Sequence, residues 1–193
     1  MPGRKPGQRR VEILHTLARM LETPRWEKIT TAALAARLEV SEAALYRHFA
    51  SKAQMYEGLI EFIEETLFGL INRIGADEPS GLKQVEKSMT MLLGFAQKNP
   101  GMTRVLIGEA LVNEDERLQA RINQLLDRVE ASLKQSLRFA AQQGEVDAEL
   151  DQAAYANLLL NLVLGRWHQF AKSGFKRDPM ELWAQQWKQL IPS

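Results

Sequence analysis

The chain has 193 residues, 45% of them apolar, which suffices to fill the core of one large domain or of two smaller ones and argues against disorder. It contains no cysteine, which excludes disulfides, thiolate metal sites and thiol nucleophiles. The net charge of +1 is unevenly divided: residues 1–52 carry ten basic and five acidic side chains, net +5, and residues 53–193 carry fifteen and nineteen, net −4, so an anionic partner is expected for the N-terminal part.

Residues 1–10, with four basic side chains and no apolar stretch of a secretory signal, read as a flexible basic arm. Beyond them helical periodicity dominates and strict β-type alternation is missing, which predicts an all-α fold of about nine helices. The first helix gathers Ile13, Leu14, Leu17, Ala18 and Leu21 on one face and ends before Thr23-Pro24. A short helix is expected from Thr30 to Arg37 and another from Ser41 to Phe49, each opened by a hydroxyl side chain able to cap it, with Leu38-Glu39-Val40 as the turn between. Ser51 caps a long helix that reaches Ile74. Breaks at residues 77–81, 99–101 and 144–147 separate further helices, and Asp178-Pro179 opens the last. The division is therefore a basic arm 1–10, a basic helical module 11–52 and a longer helical body 53–193.

Two short helices three residues apart, behind an amphipathic helix and on a basic segment, have the form of a helix-turn-helix. Leu34, Ala35, Leu38, Val40, Leu45 and Phe49 are the residues expected to pack the pair. The second helix leaves Ser41, Glu42, Ala43, Tyr46, Arg47 and His48 outside: small residues at its start let the backbone approach base edges, and Tyr46, Arg47 and His48 reach bases or phosphates in a major groove. Against this, Tyr46 and His48 also suit packing on the first helix. Thr30, Thr31 and Lys52 belong to helix starts that favour phosphate, and Arg9 and Arg10 add sequence-independent attraction. Double-stranded DNA is the expected partner.

In the body, Met91, Gly94 and Lys98 share one face of a helix whose opposite stripe is apolar. Glycine inside a helix costs about 1 kcal/mol relative to alanine. Either another chain approaches there, making with Phe62 and Asn99 a peptide-docking groove, or Gly94 relieves crowding within the body. The stretch 153–170 is apolar around most of its circumference, and Trp183 and Trp187 follow at helical spacing. Leu159, Leu162, Val163, Trp167, Phe170, Trp183 and Trp187 are the residues expected at the interface of a homodimer, the symmetry a palindrome reader needs. Enzyme motifs are lacking, no cofactor or metal site is expected, and the acidic clusters Glu64-Glu65 and Glu114-Asp115-Glu116 read as solvent-facing and helix-start carboxylates. No apolar run approaches a membrane span.

Ile29 to Ala35, Val40 to Phe49 and Ser51-Lys52 resemble the DNA-binding domain of TetR-family regulators, with Leu45-Tyr46-Arg47-His48-Phe49 as the family's characteristic stretch. The resemblance implies an all-helical homodimer. Within the family, Leu59 to Glu64, Leu92 to Phe95, Lys98 to Leu106 and Asp115 to Leu126 are similar to the nucleoid occlusion factors, over roughly residues 9–138. That second resemblance implies a cytoplasmic, nucleoid-associated protein that binds palindromic chromosomal sites. When bound to DNA it engages the C-terminal tail of the tubulin-like division protein FtsZ, through Phe62, Met91, Gly94, Lys98 and Asn99, and inhibits ring assembly. Leu70 stands where the resemblance expects a basic residue, and Lys98 where it expects arginine. The rival expectation is a TetR-family repressor released by a small ligand, which requires a body cavity with convergent polar groups.

Overall fold

Every regular element in this computed structural model, which describes residues 7–23 and 28–190, is helical. In chain order these are α1 (Gln8–Met20), α2 (Thr31–Arg37), α3 (Glu42–Tyr46), α4 (Lys52–Asp77), α5 (Gly81–Lys98), α6 (Pro100–Leu106), a 3-10 turn (Glu109–Leu111), α7 (Glu116–Gln142), α8 (Gln152–Lys172) and α9 (Trp183–Leu190). Short polar side chains set several starts. Thr30 Oγ1 accepts from the Ala33 N–H at 3.1 Å, Ser41 Oγ from Ala44 at 3.3 Å and Ser51 Oγ from Gln54 at 3.1 Å. The Asp151 carboxylate takes both the Ala153 and the Ala154 N–H at 3.0 Å. Each such cap satisfies a helix-end donor and contributes about 1 kcal/mol.

Three boundaries differ from the sequence expectation. Residues 1–6 of the basic arm lie outside the described residues, and Arg9 and Arg10 stand in the first turn of α1 instead of in an arm. The helix-turn-helix's second helix stops at Tyr46, because the His48 and Phe49 N–H groups both turn back to the Leu45 carbonyl. The last helix begins at Trp183: the Asp178 side chain accepts from the Met180 N–H at 2.8 Å, closing a turn, and Leu182 is left-handed at φ 58°.

The chain forms two compact units. The first joins the residues up to Ile63 with Asn99–Ile122; the second joins Glu64–Lys98 with the chain from Asn123 onward. In the first, the apolar face of α1 (Ile13, Leu14, Leu17, Ala18) is buried, as are Leu34 and Ala35 of α2, Leu45 of α3 and Phe49. Helix α6 lies so close to α1 that a Cβ on Gly101 would come within 1.9 Å of the Ala18 carbonyl oxygen. From the same helix the buried Arg104 donates through Nη1 to the Leu21 and Thr23 carbonyls, both at 2.6 Å. A cation on the carbonyls just past the C-terminus of α1 offsets the negative end of its dipole.

The second unit is filled by aliphatic and aromatic side chains. Helices α5 and α8 pack together, with Trp167 fully buried and its Nε1–H donating to the Leu92 carbonyl at 3.2 Å. Trp183 donates to Thr90 Oγ1 at 2.8 Å, and its ring meets that of Trp187 at 5.7 Å. This corrects the expected dimer surface: Leu159, Val163, Trp167, Phe170, Trp183 and Trp187 are all buried within the subunit, and of the seven only Leu162 keeps surface. The buried residues of α8 line a single face, and the Trp167 and Trp183 indoles spend their N–H groups inside.

Candidate nucleic-acid interface

The helix-turn-helix is oriented by its own caps and turn. Thr30 and Ser41 fix the starts of α2 and α3, and Glu39, left-handed at φ 55°, reverses the chain between them. Leu34, Ala35 and Leu45 point inward. Thr30, Ser41, Ala43 and Arg47 are exposed, and Tyr46 is 45% exposed, so the tyrosine is not spent on packing. A further contact not expected from sequence spans the two helices: Thr31 Oγ1 donates to Glu42 Oε2 at 2.5 Å, which holds the first turn of α3 to that of α2. His48 is half-buried, and its carbonyl accepts from Arg10 Nη1 at 2.8 Å, while the Arg10 guanidinium stands 4.2 Å over the Phe49 ring. Arg9 pairs with Glu12 at 2.7 Å. Both arginines thus have structural partners within the module.

Lys52, the first residue of α4, carries its ammonium 2.5 Å from Glu114 Oε1. Lys28 approaches the same oxygen at 3.7 Å and donates to the Asn113 carbonyl at 3.1 Å. Glu114 is therefore not the solvated carboxylate expected of its acidic run. Its side chain is 11% exposed and it sits near the buried Tyr56, whose hydroxyl is held well above the usual phenol range, chiefly by burial and then by the Glu114 charge. No local signal identifies this cluster, since the Lys52–Glu114 contact joins residues 62 apart. Likewise Glu64 is paired with Arg128, which stacks over Phe68 at 4.0 Å.

Of the expected partner-binding residues, Met91 and Gly94 are half-exposed and Lys98, the last residue of α5, is exposed on its outer face, while Asn99 stands at the N-cap of α6. A Cβ on Gly94 would meet nothing within 4 Å. Crowding inside the body therefore does not explain this glycine. Phe62 belongs to the first unit, where it is half-buried and its ring meets His15 edge-on at 5.3 Å; it is not gathered with the α5 residues in one unit. Leu70 is 40% exposed.

Helix α8 presents a different outward stripe from the one expected: Leu158 is 52% exposed, Leu162 half-exposed, and Gly165 has open space where a Cβ would stand. An open cleft of about 370 Å³ adjoins this stripe, lined by Leu162, Arg166, Gln169 and Leu182. Another of about 570 Å³ lies along α4 and α7, between Asn72, Gln84, Ser132 and Phe139. Both open to solvent. Among the described residues no helix is long and apolar enough to cross a membrane.

Comparison with known proteins agrees with this geometry. Residues 13–59 match the family of bacterial regulatory proteins, tetR family, and residues 80–192 match a SlmA-like family described as tetracyclin repressor-like, C-terminal domain. The similarity thus runs well past residue 138, where the sequence reading had it fade. The chain is 50% identical to the nucleoid occlusion factor SlmA of Alteromonas mediterranea, over 97% of this chain and 96% of that one. It is 48% identical to the nucleoid occlusion factor SlmA of Shewanella amazonensis over the full length of both. Among solved structures, the fatty acid degradation regulator FadR from Bacillus halodurans superposes with a TM-score of 0.80 at 15% identity, covering 97% of each chain, which is a likeness of fold.

Proposed function

The chain belongs to the TetR family and, within it, to the SlmA-type nucleoid occlusion factors, and we propose that it works as a cytoplasmic homodimer on palindromic chromosomal DNA. The reading element is α3. Ser41, Ala43, Tyr46 and Arg47 project from it, with the Thr30 end of α2 and Lys52 at the start of α4 lying over phosphates. The exposure of Ala43, Tyr46 and Arg47 carries the reading, because these side chains have no local task, whereas Thr30 and Ser41 also serve as caps and Lys52 is paired with Glu114. Two copies pair through the outer α8 stripe of Leu158, Leu162 and Gly165, where the missing Cβ lets a second helix approach.

On DNA, the protein takes the FtsZ tail on the outer face of α5 and so restrains ring assembly over the nucleoid. The observation behind this is Gly94: a glycine mid-helix, facing open space between an adaptable Met91 and the Lys98 ammonium, suits the backbone of an extended acidic peptide. The clefts of the second unit are open to solvent and do not enclose a ligand, which weighs against a repressor released by a small ligand.

Anisotropy of a labelled FtsZ-tail peptide, titrated with and without a palindromic duplex, tests the proposal. Tail binding should be tighter on DNA and at least about tenfold weaker for Gly94→Leu, with DNA affinity unchanged. No tail binding in either condition overturns the division role and leaves a repressor. Sedimentation of Leu158→Glu should show a monomer; a persisting dimer removes the α8 stripe from the interface.

A further inference from the structure

We propose that Glu114 is an internal stand-in for a DNA phosphate: it holds the lysines on either side of the helix-turn-helix and gives them up to the duplex on binding. The inference rests on the preceding reading, which sets Lys52 on the DNA backbone.

Lys28 stands two residues ahead of the Thr30 cap and Lys52 opens α4, so they flank the reading helices in sequence. One carboxylate oxygen receives both, at 3.7 Å and 2.5 Å. The Lys52 ammonium lies 5.7 Å from the centre of the buried Tyr56 ring, and its side chain is 21% exposed, so the pair is partly shielded from water. A carboxylate and a phosphate diester ask the same of an ammonium, a short charge-assisted N–H···O contact. Lysine, a flexible stem with three rotatable donors, can exchange one for the other.

The exchange discriminates between DNAs. Turning Lys52 to a phosphate leaves Glu114 without its counter-charge in a mostly buried place, which is costly. A duplex that also makes base contacts through α3 offsets that cost, whereas a random duplex offers only phosphates. Glu114 therefore lowers non-specific binding more than specific binding. It also leaves a mark on salt dependence. Neutralising one phosphate releases about 0.9 counterion from DNA, but the freed carboxylate takes up a cation, so the Lys52 contact registers at less than its full value.

The test compares the full-length protein with Glu114→Gln, which keeps the shape and an acceptor oxygen. A second comparison is Asp115→Asn, which removes the same charge one residue on, where the carboxylate caps the Arg117 N–H at 3.0 Å. Affinities for a palindromic and a scrambled duplex are measured from about 50 to 200 mM salt, with thermal unfolding as the check on folding. Glu114→Gln should tighten the scrambled duplex more than the palindrome. It should also steepen the scrambled-duplex salt slope by up to about 0.9 per subunit engaged, roughly a 3.5-fold greater loss across that range. Asp115→Asn should do less of both. If Glu114→Gln matches the unmodified protein, or only matches Asp115→Asn, the proposal is wrong.

Should Glu114→Gln unfold, Lys52→Met carries the test: with Glu114 present it should flatten the slope by clearly less than about 0.9 per subunit, and a full loss of that size overturns the exchange. An unmodified protein that binds neither duplex removes the DNA reading itself, whereas binding with no Glu114 effect removes this inference alone.

Discussion

The two units are stabilised by different means. In the first, a glycine with no room for a Cβ and a buried guanidinium on helix-end carbonyls join α1 to α6, and one carboxylate collects two lysines. In the second, tilted indoles and aliphatic side chains fill the interior, with the Trp167 and Trp183 N–H groups spent inside, and the tight seat of Gly81 against α7 is its counterpart to Gly101. The first arrangement depends on a few polar or steric fits and leaves the side chains of α3 for a ligand. The second is mainly apolar, and its large aromatic residues are consumed by the core. Most large apolar side chains of the body are consumed by its core, and each surface proposed for a partner carries a glycine that faces open space.

The contrast can be broken most forcefully at its two kinds of glycine. Gly101→Ala drives a methyl into the Ala18 carbonyl and should cost about 3 kcal/mol or more in chemical denaturation, with DNA binding lost alongside. Arg104→Leu comes next: it removes two charge-assisted hydrogen bonds from the end of α1 and should cost about 2–3 kcal/mol. A harmless Arg104→Leu would mean that the first unit also rests on apolar packing. Gly94→Ala, in contrast, should stabilise by about 0.5–1 kcal/mol, since the methyl meets nothing and the helix gains. Destabilisation there would show that the outer face of α5 is packed and not a contact surface.

The smallest effect is one of pH. The Glu78 carboxyl is held below its usual range, first by the hydrogen bond from Lys87, at 2.6 Å, and then by the Ser80 N–H at 3.1 Å. A depressed folded value stabilises above the unfolded value, roughly 4.3, and the contribution disappears as pH falls through the folded one. Thermal unfolding should thus lose a small part of its stability below about pH 4.3, and Glu78→Gln should not show that part.

Local features were legible in the sequence. Thr30, Ser41 and Ser51 cap the helices they were expected to cap, and the α1 stripe is the buried one, because capping and helical period are decided within a few residues. What escaped were choices made by distant partners. The burial of Trp183 and Trp187 depends on which sides of α8 and α5 are already covered, and nothing in their own spacing says whether the cover is the same subunit or another. Glu114 looks like any acid before a helix until Lys52 arrives from 62 residues away. Conversely, Gly94 was ambiguous in sequence between crowding and contact, and the empty space around it removes the first.

The Arg104 contact also orders events in time. The carbonyls it receives belong to residues 81 and 83 positions earlier, and the first unit is assembled from two stretches of chain separated by residues 64–98. During synthesis the DNA-reading helices emerge first, yet the end of α1 stays bare until the chain has grown past residue 104. A fragment cut at residue 63 would carry every reading side chain without the residue that finishes the helix behind them.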